Sequence, residues 1–429
     1  MSKVFFPAAA LLFCHWLSVA KPATDFLSCD ACQRALVAAE GRQSADQEIS
    51  QLQKKIRNSQ DPRRELDRLG WMYVSKARVS NDPGFYKLAE QAALCLEAAA
   101  PGSDEALLLR GHVLHSLHRF NEAEPIARQL TEKRGAPFDY GLLGDVLFDQ
   151  GRVDDAIKVY QKMVDLKPDL HSYSRIGHVR WVKGDVEGAI EVLTMAAKAA
   201  NPRAPEPGAW VFSRLALYQF QAGQTDLALQ SVEQSLQLIP DYAPALLARG
   251  RILLSQGKTD LALQSLTKAA ELNPLPDYHW IVADAYRSMG KEDRARSTET
   301  LLQKRGRSSD PRTYALYLAT RGQQPEIAIQ LAREELKSRS DIFTHDALAW
   351  ALHAGGKNAE AREHLSKALG EGTKDGRLFY HSSIIAHTAG DRAESARYLQ
   401  EAEKLKHLLL PSERKGLETL RKEFTRGAL

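Results

Sequence analysis

Residues able to do chemistry are sparse in this chain of 429 residues, and the histidines come first. In "HVLHSLH" (112–118) His112 and His115 stand one helical turn apart, a spacing that lets two imidazoles share a metal ion, and Asp145 and His178 hold corresponding places further on. Solvated or hydrogen-bonded polar residues on a helix would read the same way, and no metal is expected. Cys29 and Cys32, in "CDACQ", are close enough to bridge each other, and an oxidised pair is expected of an exported chain. A metal site there would need two more ligands, and haem attachment would need histidine where Gln33 stands. Cys95, in "LAEQAALCLEAAA", reads as a small helix-packing residue. No Walker loop, zinc-protease HExxH or nucleophile elbow is present. "SLTK" (265–268) and "SERK" (412–415) match the SxxK of serine enzymes by chance, in helix-forming sequence without companion motifs. The expectation is a protein with no catalytic residue and no cofactor.

The elements that would carry these residues repeat. "GRVDDAIKVYQKMVDLKP" at 151–168 returns as "GDVEGAIEVLTMAAKAANP", "GQTDLALQSVEQSLQLIP" and "GKTDLALQSLTKAAELNP". The turn glycines Gly151, Gly184, Gly223, Gly257, Gly290, Gly322, Gly356 and Gly390 recur at intervals near 34, the mark of a helical repeat array. Each offset has a cause. Apolar residues every three or four positions define two helices per unit. Gly151 can end the first helix in the left-handed conformation, and Asp154 and Asp155 suit the positive end of the second helix's dipole. Gly144 and Ala156 let the two backbones approach, and Pro168 stops the second helix.

Tyr140, Leu143, Gly144, Gly151, Ala156, Tyr160 and Pro168 stand at consensus offsets, and the chain resembles tetratricopeptide repeat proteins, while "HDALAWALHAGGKNAEAREHL" (345–365) is similar to bacterial secreted or periplasmic members of that family. The pattern predicts an all-α, right-handed superhelical solenoid of about ten helical hairpins. The expected organisation is a signal peptide at 1–20, an N-terminal segment with the CxxC and a capping helix at 21–62, a first array segment at 63–203, a second at 209–408, and a capping helix and tail at 409–429. One step of 39 residues contains "NPRAPEPG" (201–208), which would be either a hinge or a long surface turn.

The resemblance implies that the first helix of each hairpin lines a concave groove. Carried onto this chain, the groove positions include Asp145, Phe148, His178, Trp181, Phe220, Arg251, Asp284 and Arg287, while Trp210, Trp280 and Trp350 also fall on inner helices. Aromatic residues and arginine tend to dominate binding surfaces, though any of these rings could instead fill gaps between hairpins. The family's clamp for chaperone C-termini does not carry over, because its lysine and asparagine places hold Gly141 and Asp145, Ser174 and His178, then Ser213 and Leu217. The resemblance thus implies a non-enzymatic scaffold for another protein or peptide. The alternative is a cell-envelope assembly or polysaccharide-binding component whose tryptophans stack on sugars.

The opening "MSKVFFPAAALLFCHWLSVA" has the basic start, apolar run and small residues of a secretory leader with cleavage after Ala20, so a secreted or periplasmic location is expected and no transmembrane segment in the mature chain. A retained anchor is the other reading, although the run is short for a span of ~20 residues. A net charge of +4 with no block of like charges disfavours nucleic acid as a partner.

Overall fold

The computed structural model describes residues 25–38, 41 and 44–426, so the expected leader lies outside the described residues. Within them the chain is all-helical, with no strand. The helices are α1 (Asp30–Ala35), α2 (Ser44–Asn58), α3 (Arg63–Ser80), α4 (Gly84–Ala99), α5 (Asp104–Ser116), α6 (Phe120–Lys133), α7 (Pro137–Asp149) and α8 (Val153–Leu166). They continue as α9 (Leu170–Val182), α10 (Val186–Lys198), α11 (Pro205–Gln221), α12 (Thr225–Leu238), α13 (Ala243–Ser255), α14 (Thr259–Leu272), α15 (Pro276–Ser288) and α16 (Glu292–Ser309). The last are α17 (Pro311–Thr320), α18 (Pro325–Leu336), α19 (Ile342–Ala354), α20 (Asn358–Ala368), α21 (Gly376–Thr388), α22 (Arg392–Lys404) and α23 (Pro411–Arg426). From α3 to α22 they pack as ten successive hairpins, forming the solenoid that the repeats predict.

One hairpin shows why the sequence folds this way. On α8 the buried residues Val153, Ala156, Tyr160 and Met163 form a single stripe, because three- and four-residue steps return to the same helix face. At the turn before it, Gly151 lies at φ +77°. Its N–H donates to the Phe148 carbonyl at 3.0 Å and the Arg152 N–H to the Leu147 carbonyl at 2.9 Å, which satisfies the free carbonyls at the end of α7. The close approach expected at Gly144 is real, since a Cβ there would collide with the Tyr160 ring. Ala156 is fully buried in the same contact. Ala156→Leu should therefore cost roughly 1–3 kcal/mol by overpacking; an unchanged urea midpoint would count against this helix contact.

Odd-numbered helices touch the next odd one along much of the array, as in α3 with α5, α11 with α13 and α17 with α19, more closely than their even partners touch one another. The layer whose members crowd together is the inside of the curve. Across the 201–208 segment, α11 begins at Pro205 and packs on α10 and α9, and Trp210 and Leu217 touch the apolar clusters on both sides.

The curve is tight enough for one superhelical turn to rest on the next. The Asn81 amide donates to the Leu272 carbonyl at 3.3 Å across 191 residues, and the Arg339 guanidinium meets Asp149 at 3.1 Å across 190. The Thr373 hydroxyl donates to the Val182 carbonyl across 191 residues, and His407 lies 3.0 Å from the Phe220 carbonyl across 187. These four separations, 187 to 191 residues, correspond to one superhelical turn of between five and six hairpins. Two turn glycines sit at this seam. A Cβ on Gly151 would strike the Ser340 carbonyl oxygen, and one on Gly184 the Gly372 carbonyl oxygen, whereas one on Gly257 or Gly290 would meet open space.

Both ends are capped. Helices α1 and α2 cover α4 and α3, and α23 packs on α21 and α22 while reaching across the curve to α15. The cysteine expectation is corrected here: Cys32 pairs with Cys95, and Cys29 is free. Cys29 caps the start of α1, its sulfur accepting from the Cys32 N–H at 3.3 Å. The Cys32 side chain faces inward to α4, where the Cα atoms of Cys32 and Cys95 are 4.7 Å apart and both residues are fully buried. Cys95 is therefore a cross-link as well as a packing residue.

Candidate binding site

The inner helices enclose a cavity of about 780 Å³ in the middle of the array. Its walls come from both superhelical turns. Helices α7 and α9 contribute Phe148, His178 and Trp181, while α11 contributes Trp210, Ser213, Arg214 and Leu217. Helix α13 adds Pro244, Leu247, Ala248 and Arg251, and the start of α15 adds Asp277 and Tyr278. The four residues from α11 and the four from α13 share the same spacing of three, four and seven, so each set is one helix face. The opposite wall includes Arg312, Leu316, Arg339, Asp341 and Phe343.

Of the eight groove residues expected from the sequence, Phe148, His178, Trp181 and Arg251 meet here. The other four do not line the cavity, and each has a physical reason. Phe220 is buried, its ring 5.0 Å from that of His407. Asp284 is buried under α23, accepting the Ser412 N–H at 2.9 Å. Asp145 is occupied by Arg175 at 2.7 Å and the Tyr160 hydroxyl at 2.8 Å, and Arg287 turns outward to Glu299 at 2.9 Å. The expected open groove is thus partly filled by the chain's own later segments. Arg214 was missed because it stands between the family's usual groove positions. Phe343, Arg339 and Asp341 were missed because they arrive from a hairpin one superhelical turn away; only the repeating face Trp210, Ser213, Arg214 and Leu217 carried a signal.

Trp181 is not a free binding ring. It stacks on Tyr218 at 5.4 Å and on Phe343 at 5.7 Å, and its indole N–H donates to Gln221 at 2.7 Å. Gln221 in turn donates to the Lys374 carbonyl, so this tryptophan ties the two superhelical turns together. Trp181→Ala is therefore expected to lower stability by roughly 3 kcal/mol, the lower end of the range for a buried tryptophan cut to alanine. A thermal midpoint equal to wild type would show instead that the ring serves binding alone.

The seam beside the cavity is ionic. Arg339 lies 3.1 Å from Asp149 and 2.9 Å from Asp341, and Arg312 lies 3.0 Å from Asp341. Burial by itself would raise the Asp149 carboxyl, but the hydrogen bond with His115 and the charge of Arg339 outweigh it and hold it well below the usual range. Asp341 is depressed in the same way, with Arg312 and Arg339 outweighing its burial.

The histidines behave oppositely. Burial, helped by Arg214, lowers His178 to about 3, and burial, helped by His364, lowers His345 to about 4. Both are neutral in the folded protein at pH 7. Below pH 6.5 the unfolded chain takes up protons that the folded chain refuses, so stability is full above about 6.5 and falls as pH drops toward 4, by up to about 1.4 kcal/mol per pH unit for each histidine. Asp149 and Asp341 add losses only at lower pH. Urea midpoints should stay level from pH 7.5 to about 6.5 and then fall toward pH 4.5, and a profile flat over the whole range would contradict these burials.

Little here suits catalysis. Ser340 Oγ lies 3.2 Å from His345 Nε2, and His345 Nδ1 lies 3.0 Å from His364 Nδ1, but an imidazole lowered to about 4 is a poor base near pH 7. The suggested metal group is dispersed: His112 contacts Arg78 at 2.8 Å, His115 contacts Asp149 at 2.9 Å, and His178 contacts the Tyr218 hydroxyl at 2.9 Å. Among the described residues no cluster of three or more histidine, cysteine or acidic side chains could hold a metal ion, and no helix is long and apolar enough to cross a membrane.

Residues 108–171 and 219–285 match models of the tetratricopeptide repeat. Those two stretches are thus similar to tetratricopeptide repeats, which typically bind proteins or peptides. No curated protein matches it. Among solved structures, the human IFIT1 dimer with PPP-AAAA is 14% identical, with 89% of this chain and 95% of that one covered and a TM-score of 0.47. The APC/C hetero-tetramer Cut9-Hcn1 is 13% identical, with 88% and 90% covered and a TM-score of 0.36. MamA is 21% identical, with 38% and 94% covered and a TM-score of 0.31.

Proposed function

We propose that the chain is a non-enzymatic scaffold that captures a partner protein or peptide, and that the capture site is the central cavity instead of an extended groove. The observation that carries this reading is the cavity itself: about 780 Å³, lined by aromatic and arginine side chains from the inner helices, and within the 300–1,000 Å³ of ligand-binding pockets. A long peptide could not lie along the whole concave side, because α23 and the stacked superhelical turns occupy it. A short segment or a single side group could enter. We place the chain in an exported, oxidising compartment, the periplasm or outside the cell, which the leader-like start and the Cys32–Cys95 bond support. The sugar-stacking alternative is weaker, since Trp280 and Trp350 are buried and the faces of Trp181 are covered by other rings.

A photo-crosslinking residue at Leu247, inside the cavity, should capture a partner in the native compartment, and one at the exposed outer Leu301 should not. The Leu247 crosslink should disappear with Trp210→Ala. Equal capture from both places, or indifference to Trp210, would refute the assignment.

A further inference from the structure

The cations around the cavity differ in one respect. Arg312 and Arg339 are held by Asp341 and Asp149, and Arg377 meets Glu413 at 2.6 Å. Lys367 is exposed at the edge. Arg214 and Arg251 line the same cavity, half-buried, and no carboxylate among the described residues lies within ion-pair distance of either. Arg214 rests over the Trp210 ring at 5.6 Å, and a cation over a ring keeps its hydrogen-bond donors free. The Asp277 carboxylate, in the same cavity, supports the charge of Arg377, and Arg251 acts on the buried Asp375 carboxyl only from beyond ion-pair distance. Tyr278 lines the same cavity as both free guanidiniums. Beside them on the same two helix faces stand Trp210, Leu217 and Leu247.

Two unmatched guanidiniums facing a partly enclosed space favour an anion, since Arg binds carboxylate or phosphate through paired N–H donors and the low dielectric strengthens each bond. The apolar residues beside them would be wasted on an inorganic ion. We propose that the cavity holds a small amphiphilic anion, its carboxylate or phosphate head received by Arg214 and Arg251 and its acyl or aromatic body packed on Trp210, Leu217 and Leu247. This rests on the cavity being the capture site, as proposed above, and specifies the group that enters it.

Calorimetry on the purified full chain tests it with decanoate, decyl phosphate, decanol and inorganic phosphate. Decanoate or decyl phosphate should bind at least about tenfold more tightly than decanol, the scale of a charge-assisted hydrogen bond, and more tightly than inorganic phosphate. The preferred head distinguishes a carboxylate from a phosphate source. Arg214→Gln with Arg251→Gln should remove that tenfold advantage and leave decanol binding unchanged, with Arg214→Lys and Arg251→Lys restoring part of it. An unchanged thermal midpoint in each variant separates loss of the site from loss of the fold. Decanol binding as tightly as both anions, or anion binding indifferent to the glutamine pair, would overturn the proposal. Failure of every probe while the Leu247 crosslink persists would overturn the ligand assignment and leave the scaffold reading in place.

Discussion

Cys95→Ser should destabilise the N-terminal end of the array by about 4 kcal/mol, the loop-closure value for a cross-link of this length, 63 residues. The effect should be local, because in a stacked array each hairpin contacts mainly its neighbours and unfolding need not be all-or-none. Hydrogen exchange should therefore accelerate over α1 to α4 and remain nearly unchanged over α13 to α20. Reducing the wild type should reproduce the variant's behaviour. Peptide mapping should recover Cys32 linked to Cys95 with Cys29 open to alkylation; a Cys29–Cys32 linked peptide would reverse the assignment.

The second large effect is expected at the seam. Gly184→Ala and Gly257→Ala share one cost, since both glycines lie at positive φ, +79° and +72°, where an L-residue loses roughly 1–2 kcal/mol. Only at Gly184 does the added methyl meet a backbone carbonyl, that of Gly372, which cannot swing aside as a side chain would. A further cost of about 1–3 kcal/mol is expected there as the superhelical turns separate. Separation would weaken the Lys183 to Glu371 ion pair at 2.6 Å and the Thr373 hydrogen bond to Val182. X-ray scattering should show a larger radius of gyration for Gly184→Ala and none for Gly257→Ala. Equal stabilities with equal radii would mean that the seam contributes nothing to closure.

These cases show what could be read from residues in order. Gly151 and Gly257 are equivalent in the sequence, and their common role as the left-handed end of a first helix was legible from the spacing of Gly, Ala and Pro. That one of them also presses on Ser340 depends on how much each hairpin rotates relative to the last. A small difference per hairpin, summed over five or six, decides whether two turns touch, and no short motif records it. The groove residues divide in the same way. Placing Phe148, His178, Trp181 and Arg251 on an inner face needed only the repeat register and the family resemblance, whereas the loss of Phe220 and Asp284 to His407 and Ser412 required knowing where the tail returns. Cys29 and Cys32 show the limit most plainly: closeness along the chain suggested a bridge, but the helix start turns Cys32 away toward α4.

By itself the sequence determined the repeating helical hairpin and the number of hairpins, because these follow from local periodicity, small residues at close contacts and turn chemistry within a single unit; which helix of each faces inward came from the resemblance to tetratricopeptide repeats. Only the tertiary structure decided the stacking of superhelical turns, the Cys32–Cys95 cross-link and the closing of a groove into a cavity with two unmatched arginines. Those features join residues far apart in the chain, and their geometry is the accumulated result of packing angles that no individual repeat contains.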